Sequence, residues 1–113
     1  PKLVKMTPEN NQLGVSLDSN IQLTFNEGLK SQIGQFELYE NNQLIERFDA
    51  ENHNLKIKFN QIDLQPKQPL KANTEYKVVM TQGVQDHGKN SLPSQTISQF
   101  KTACTWWYLF YGH

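Results

Sequence analysis

Apolar residues recur at period two within short runs: Val15 and Leu17; Ile21, Leu23 and Phe25; Phe36 and Leu38; Leu55, Ile57 and Phe59; Tyr76, Val78 and Met80. Such alternation turns one face of a strand toward a core and the other toward water, the pattern of antiparallel sheets. Helical periodicity is absent. Turn-prone groups fall between the runs: residues 8–11, 26–28, 41–42, 51–54, 65–73 and 86–90. The pattern predicts strands near 2–6, 15–25, 35–40, 43–49, 54–60, 75–82 and 96–102. About seven short strands at this spacing predict an all-β, immunoglobulin-like antiparallel sandwich, because a single sheet would leave its apolar face uncovered.

One segment sharpens this. Leu70-Lys-Ala-Asn-Thr-Glu-Tyr76 places a tyrosine at the start of a strand, just after a tight connection. Its hydroxyl can reach back to an upstream backbone group and lock the crossover between sheets, as in a tyrosine corner.

Composition narrows the function classes. A chain of 113 residues has room for one domain with a core. Eleven basic and eleven acidic residues cancel without forming a block of either sign, which argues against nucleic acid or an anionic membrane as partner. Cys104 is the single cysteine, so no intrachain disulfide forms. The longest apolar run, 106–111, is far too short for a membrane-spanning helix. A chain that begins at Pro1 rather than Met is expected to be a piece of something longer. Asparagine and glutamine are abundant but dispersed, as expected for exposed strand faces and turns rather than a prion-like tract.

The order of several short motifs resembles the bacterial Ig-like domain of the S-layer protein (SbsA-like) type. The chain opens with Leu3-Val-Lys-Met-Thr-Pro-Glu-Asn-Asn-Gln-Leu-Gly-Val15, a short strand and a Pro-polar turn. It continues with Ile21-Gln-Leu-Thr-Phe-Asn-Glu27, then Leu70-Lys-Ala-Asn-Thr-Glu-Tyr-Lys-Val78. Val84-Gln-Asp-His-Gly-Lys-Asn90 keeps the family's Asp and Gly with the Asn one place late, and Phe100-Lys-Thr102 closes the pattern. The resemblance covers residues 1–103 and leaves 104–113 as a separate tail. It implies a non-catalytic spacer, adhesive or docking module of a secreted or cell-surface bacterial protein, with the periplasm as the other compartment. Partners would be neighbouring domains of a larger chain, another protein or a surface glycan.

The residues offer few alternatives to that reading. Asp86 opens a turn in which its carboxylate is expected to accept backbone amides two or three residues on, with Gly88 supplying a positive φ. That makes Tyr76, Asp86 and Gly88 structural candidates. In an Ig-like sandwich the B–C and F–G connections share a pole, so Asn26 and Glu27 would approach Asp86 and Asn90. Glu27, Asp86 and Asn90 are therefore the weak candidates for a calcium site, although calcium takes six to eight oxygens. Copper is the other metal to weigh, since periplasmic copper-carrier domains share the Ig-like shape and carry an Asp-x-His pair with an amino-terminal His. Here residue 1 is Pro, Asp86 and His87 are adjacent, and His53 lies in another turn. No nucleophile elbow or phosphate-cradling Gly-rich loop occurs, so no catalytic residues and no cofactor are assigned.

The tail breaks the pattern. Five of the twelve aromatic residues fall within 106–111, and no Asp, Glu, Lys or Arg follows Lys101. Alternation would turn Trp106, Tyr108 and Phe110 one way and Trp107, Leu109 and Tyr111 the other. A strand apolar on both faces requires cover, which makes Trp106, Trp107, Tyr108 and Phe110 candidate protein-contact residues. The start of a following domain and non-native sequence are the competing readings.

Overall fold

The computed structural model describes residues 2–30, 34–88, 90–93 and 95–104. The protein-contact candidates Trp106, Trp107, Tyr108 and Phe110 lie outside the described residues. Nine strands follow in order: β1 (Leu3–Thr7), β2 (Gln12–Val15), β3 (Ile21–Phe25), β4 (Gln35–Glu40), β5 (Gln43–Phe48), β6 (Leu55–Lys58), β7 (Gln61–Leu64), β8 (Glu75–Gln82) and β9 (Gln95–Thr102). They form two sheets, β1-β3-β7-β6 and β2-β9-β8-β4-β5. The two-layer all-β architecture is the one the alternation predicts.

The strand count differs from seven for two local reasons. The single expected strand 15–25 is divided at 16–20, where Ser19 N–H donates to the Ser16 carbonyl over 3.2 Å and the Ser16 hydroxyl bonds Asp18. These short polar side chains offer the backbone a turn in place of a ladder. The run through Leu55, Ile57 and Phe59 also ends early. Phe59 takes φ +53 and turns the chain into β7, so it is 73% exposed instead of entering the core. No glycine or proline marks that turn in the sequence.

Pairing departs from the expectation once. β1 pairs antiparallel with β3, but after Pro8 and the left-handed Asn11 the chain crosses to the other sheet, where β2 runs parallel to β9. The remaining strand pairs are antiparallel. The core fills the space between the sheets with Ile21, Leu23 and Phe25 of β3, Ile62 and Leu64 of β7, Phe36 and Leu38 of β4, and Tyr76, Val78 and Met80 of β8. Each fully buried side chain of this size contributes roughly 1.5–3 kcal/mol relative to exposure.

Strand direction fixes the ends. The Lys2 amide bonds Asn26 Oδ1 at 2.8 Å, beside the end of β3, whereas Thr102 closes β9 against Thr74 at the start of β8. Described residues thus enter at one pole and leave at the other.

Candidate functional site

The entry pole brings together three of the residues singled out above. The 26–30 loop reaches the 83–92 loop through a bridge between Leu29 and Asp86, and Lys30 N–H donates to the Gln85 carbonyl at 2.8 Å. Asp86 is buried, 4% exposed. Its Oδ1 accepts the Asn90 amide at 2.9 Å and its Oδ2 the Asn90 side-chain amide at 3.2 Å. The turn is longer than the sequence suggests, since Asp86 reaches four residues on rather than two or three. Gly88 does not take a left-handed φ. Its role is steric, because a Cβ there would stand 3.3 Å from both Asn90 Nδ2 and Asp86 Oδ1.

Glu27 completes this cluster, its carboxyl group interacting with that of Asp86 as a hydrogen-bonding neighbour. That bond holds Asp86 well below the usual carboxylate range, helped by the Asn90 amide. The same bond, with burial and the charge of Asp86, pushes Glu27 upward. For Asp86 the stabilisation exists above its unfolded pKa and is lost as pH falls through the lower folded value. For Glu27 the sign reverses: stabilisation exists below the unfolded pKa and is lost as pH rises through the raised folded value. Stability is therefore expected to rise as pH falls from neutral toward the ordinary carboxylate range. Glu27→Gln is expected to flatten that rise, read as melting temperature against pH; an unchanged slope in the variant would remove Glu27 as its source.

The other site candidates do not converge on this cluster. Asn26 spends its side-chain oxygen on the Lys2 amide. His53 sits in the turn before β6 and His87 in the β8–β9 connection, and no group of three or more His, Cys, Asp or Glu able to hold a metal occurs among the described residues.

Tyr76 organises the exit pole. Lys71 N–H donates to its hydroxyl oxygen at 2.8 Å, the backward reach expected of a tyrosine corner. The hydroxyl donates onward to Glu40 Oε2 at 2.8 Å, while Glu40 Oε1 lies 3.3 Å from Lys71 Nζ. Burial pushes the Tyr76 phenol up to about 12, with Glu40 adding to the shift and the Lys71 amide opposing it. The ring stacks on Phe100, centroids 5.7 Å apart. Thr102 Oγ1 accepts the Thr74 amide at 3.0 Å and donates to the Lys71 carbonyl at 2.6 Å, which ties the end of β9 to the same connection.

Two structural residues escaped the sequence reading. Glu40 ends β4, 36 positions before Tyr76, and nothing local marks it as a partner. Asn54 is 4% exposed and stitches β5 to β6, donating to Glu46 Oε2 at 2.9 Å and the Arg47 carbonyl at 2.7 Å. It falls where the turn-prone group 51–54 meets the strand expected at 54–60, and nothing local marks its side chain for burial.

Comparison with known proteins agrees with this architecture. The model of the family described as bacterial Ig-like domain matches residues 1–102. Among solved structures, CopC from Methylosinus trichosporium OB3b superposes with a TM-score of 0.67 at 11% identity, covering 91% of this chain and 93% of that one. At that identity the likeness is one of fold. No curated protein matches the chain. The chain belongs to the bacterial Ig-like domain family.

Proposed function

We propose that this bacterial Ig-like domain is a non-catalytic structural or adhesive module, a spacer or docking element of a cell-surface or secreted bacterial protein of the S-layer kind. The observation that carries the reading is that the first and last strands, β1 and β9, begin and end at opposite poles, Lys2 beside Asn26 and Thr102 beside Thr74. Modules with that geometry join head to tail, and a packed sandwich holds its length where a flexible linker of equal mass coils. The polar groups at both poles serve the fold: Asp86 binds Asn90, and Tyr76 binds Lys71 and Glu40. Its partners are then neighbouring domains, with a protein or surface glycan as adhesive target. Among the described residues no helix is long and apolar enough to cross a membrane.

Two copies joined head to tail, the second following Cys104 of the first, are expected to give an elongated particle in small-angle X-ray scattering. Its maximum dimension should be close to twice that of one copy. A compact particle, with the two sandwiches side by side, would overturn the spacer reading.

The second reading is a cation held at the Glu27–Asp86 pole. One observation favours it: two carboxyl groups interact there, and a cation between them would relieve their mutual repulsion. Against calcium stands the donor set, two carboxylates and one amide where six to eight oxygens are needed. Against copper stands the separation of His53 and His87 into different connections. The likeness to CopC rests on shape and supplies no ligand.

A further inference from the structure

Two grooves open near the exit pole, and they differ in what their polar groups are doing. One, of about 230 Å³, lies beside Pro66 and Pro69. Its carboxylates are already committed, Glu40 to Tyr76 and Lys71, and Glu46 to Asn54 and the Lys67 amide. The other, of about 310 Å³, lies across the ends of β8 and β9 and is lined by Asn11, Asn41, Asn42, Glu75, Gln99 and Lys101. None of these six side chains has a hydrogen-bond or ion-pair partner among the described residues. Glu75 and Lys101 stand directly opposite each other in the β8–β9 register, yet they form no ion pair.

We propose that this second groove binds a saccharide through neighbouring hydroxyl groups, which gives the adhesive side of the function reading its target class. A sugar hydroxyl both donates and accepts, so neighbouring hydroxyls can serve the Glu75 carboxylate and the Lys101 ammonium together. Four side-chain amides around them supply further donors and acceptors at closely spaced points, the requirement for recognising a polyol. Leu13, 75% exposed on the groove wall, offers an apolar surface to the C–H face of a pyranose ring. Charges of both signs line the groove, Glu75 against Lys77 and Lys101, and the Lys77 ammonium is occupied 4.9 Å above the Tyr39 ring. The Glu75 carboxylate offsets Lys101, its neighbour across the ladder, which suits a neutral ligand. The volume is at the lower end of ligand sites, roughly 300–1,000 Å³, which fits a short saccharide segment.

The walls are built in advance. Asn11, Asn41 and Asn42 take φ of +66, +48 and +67, so each turn is fixed in the left-handed conformation that asparagine tolerates. Backbone bonds then anchor both turns to the groove floor: Asn11 N–H to the Gln99 carbonyl at 2.6 Å, and Asn41 N–H to the Glu75 carbonyl at 2.9 Å. Little backbone freedom in these turns remains to be lost on binding, so the cost is confined to the side chains.

The test is titration of ¹⁵N-labelled protein with millimolar cellohexaose, chitohexaose and hexagalacturonate, followed by amide spectra. The expected result is saturable shifts with at least one neutral hexamer, centred on the side-chain amides of Asn11, Asn41, Asn42 and Gln99. Glu75→Ala/Lys101→Ala, on the exposed sheet face, should weaken binding at least tenfold with an unchanged melting temperature. Three results would overturn the proposal: no shifts with any hexamer, shifts centred elsewhere, or binding of hexagalacturonate alone, which lysine charge would explain. None of these bears on the scattering test of the spacer reading, so the two can fail separately.

Discussion

Phe36→Ala should lower stability by about 3–5 kcal/mol, the usual cost of removing a buried aromatic ring and leaving a cavity. Phe36 is fully buried, and in the ladder it stands between Phe48 of β5 and Met80 of β8. The ring therefore belongs to the β8-β4-β5 side of the five-stranded sheet, where it joins the core between the two layers. For a domain of this size, at roughly 4 °C per kcal/mol, the melting temperature falls by about 12–20 °C. Phe59→Ala provides the contrast. Both phenylalanines obey the same alternation in the sequence, but Phe59 is 73% exposed at a turn, so its loss should change stability by less than about 1 kcal/mol. Equal losses for the two would mean that Phe59, not the turn, belongs to the core.

Tyr76→Phe should cost roughly 1–3 kcal/mol while leaving the ring stacked on Phe100. The lost hydroxyl deprives the Lys71 amide of its acceptor and Glu40 of a donor at the same time. Partial solvent access at this pole favours the lower half of that range. Tyr39→Phe isolates the backbone contribution. The Tyr39 hydroxyl also donates to a glutamate, Glu37 Oε1 at 2.7 Å, but receives no backbone amide and lies on the outer sheet face. It should cost less than about 1 kcal/mol when both variants are unfolded by denaturant titration. If Tyr39→Phe proves the more damaging, the exit pole is not pinned through Tyr76.

The two-layer fold was legible because burial in a sandwich writes itself as alternation, seen in Ile21, Leu23 and Phe25 and again in Tyr76, Val78 and Met80. Tyr76 was legible for a local reason, since its backbone partner lies five residues upstream. What the sequence hid is of a different kind. Phe59 turns the chain without the glycine or asparagine-glycine pair that usually marks a hairpin. The parallel placement of β2 beside β9 depends on where the chain goes after Pro8, which alternation does not record.

The poles were readable in part. That the loop of Glu27 meets Asp86 followed from Ig-like topology, but the opposite pKa shifts of the two carboxyl groups depend on side-chain approach in space. Gly88 was assigned a conformational role where its lack of a side chain is what matters. The Glu75–Lys101 register was invisible because the two lie 26 positions apart and are matched only by the β8–β9 ladder.

The proposed function requires that the residues at the entry pole hold two loops together rather than an ion. The direct measurement is the melting temperature of residues 1–103 with and without millimolar calcium, or micromolar copper or zinc. A native state that binds a metal is stabilised by mass action, by about 2.7 kcal/mol at one hundred times the dissociation constant. The account predicts no shift with any of the three. A rise of several degrees that Glu27→Gln abolishes would contradict it and would make the Glu27–Asp86 pole a metal site.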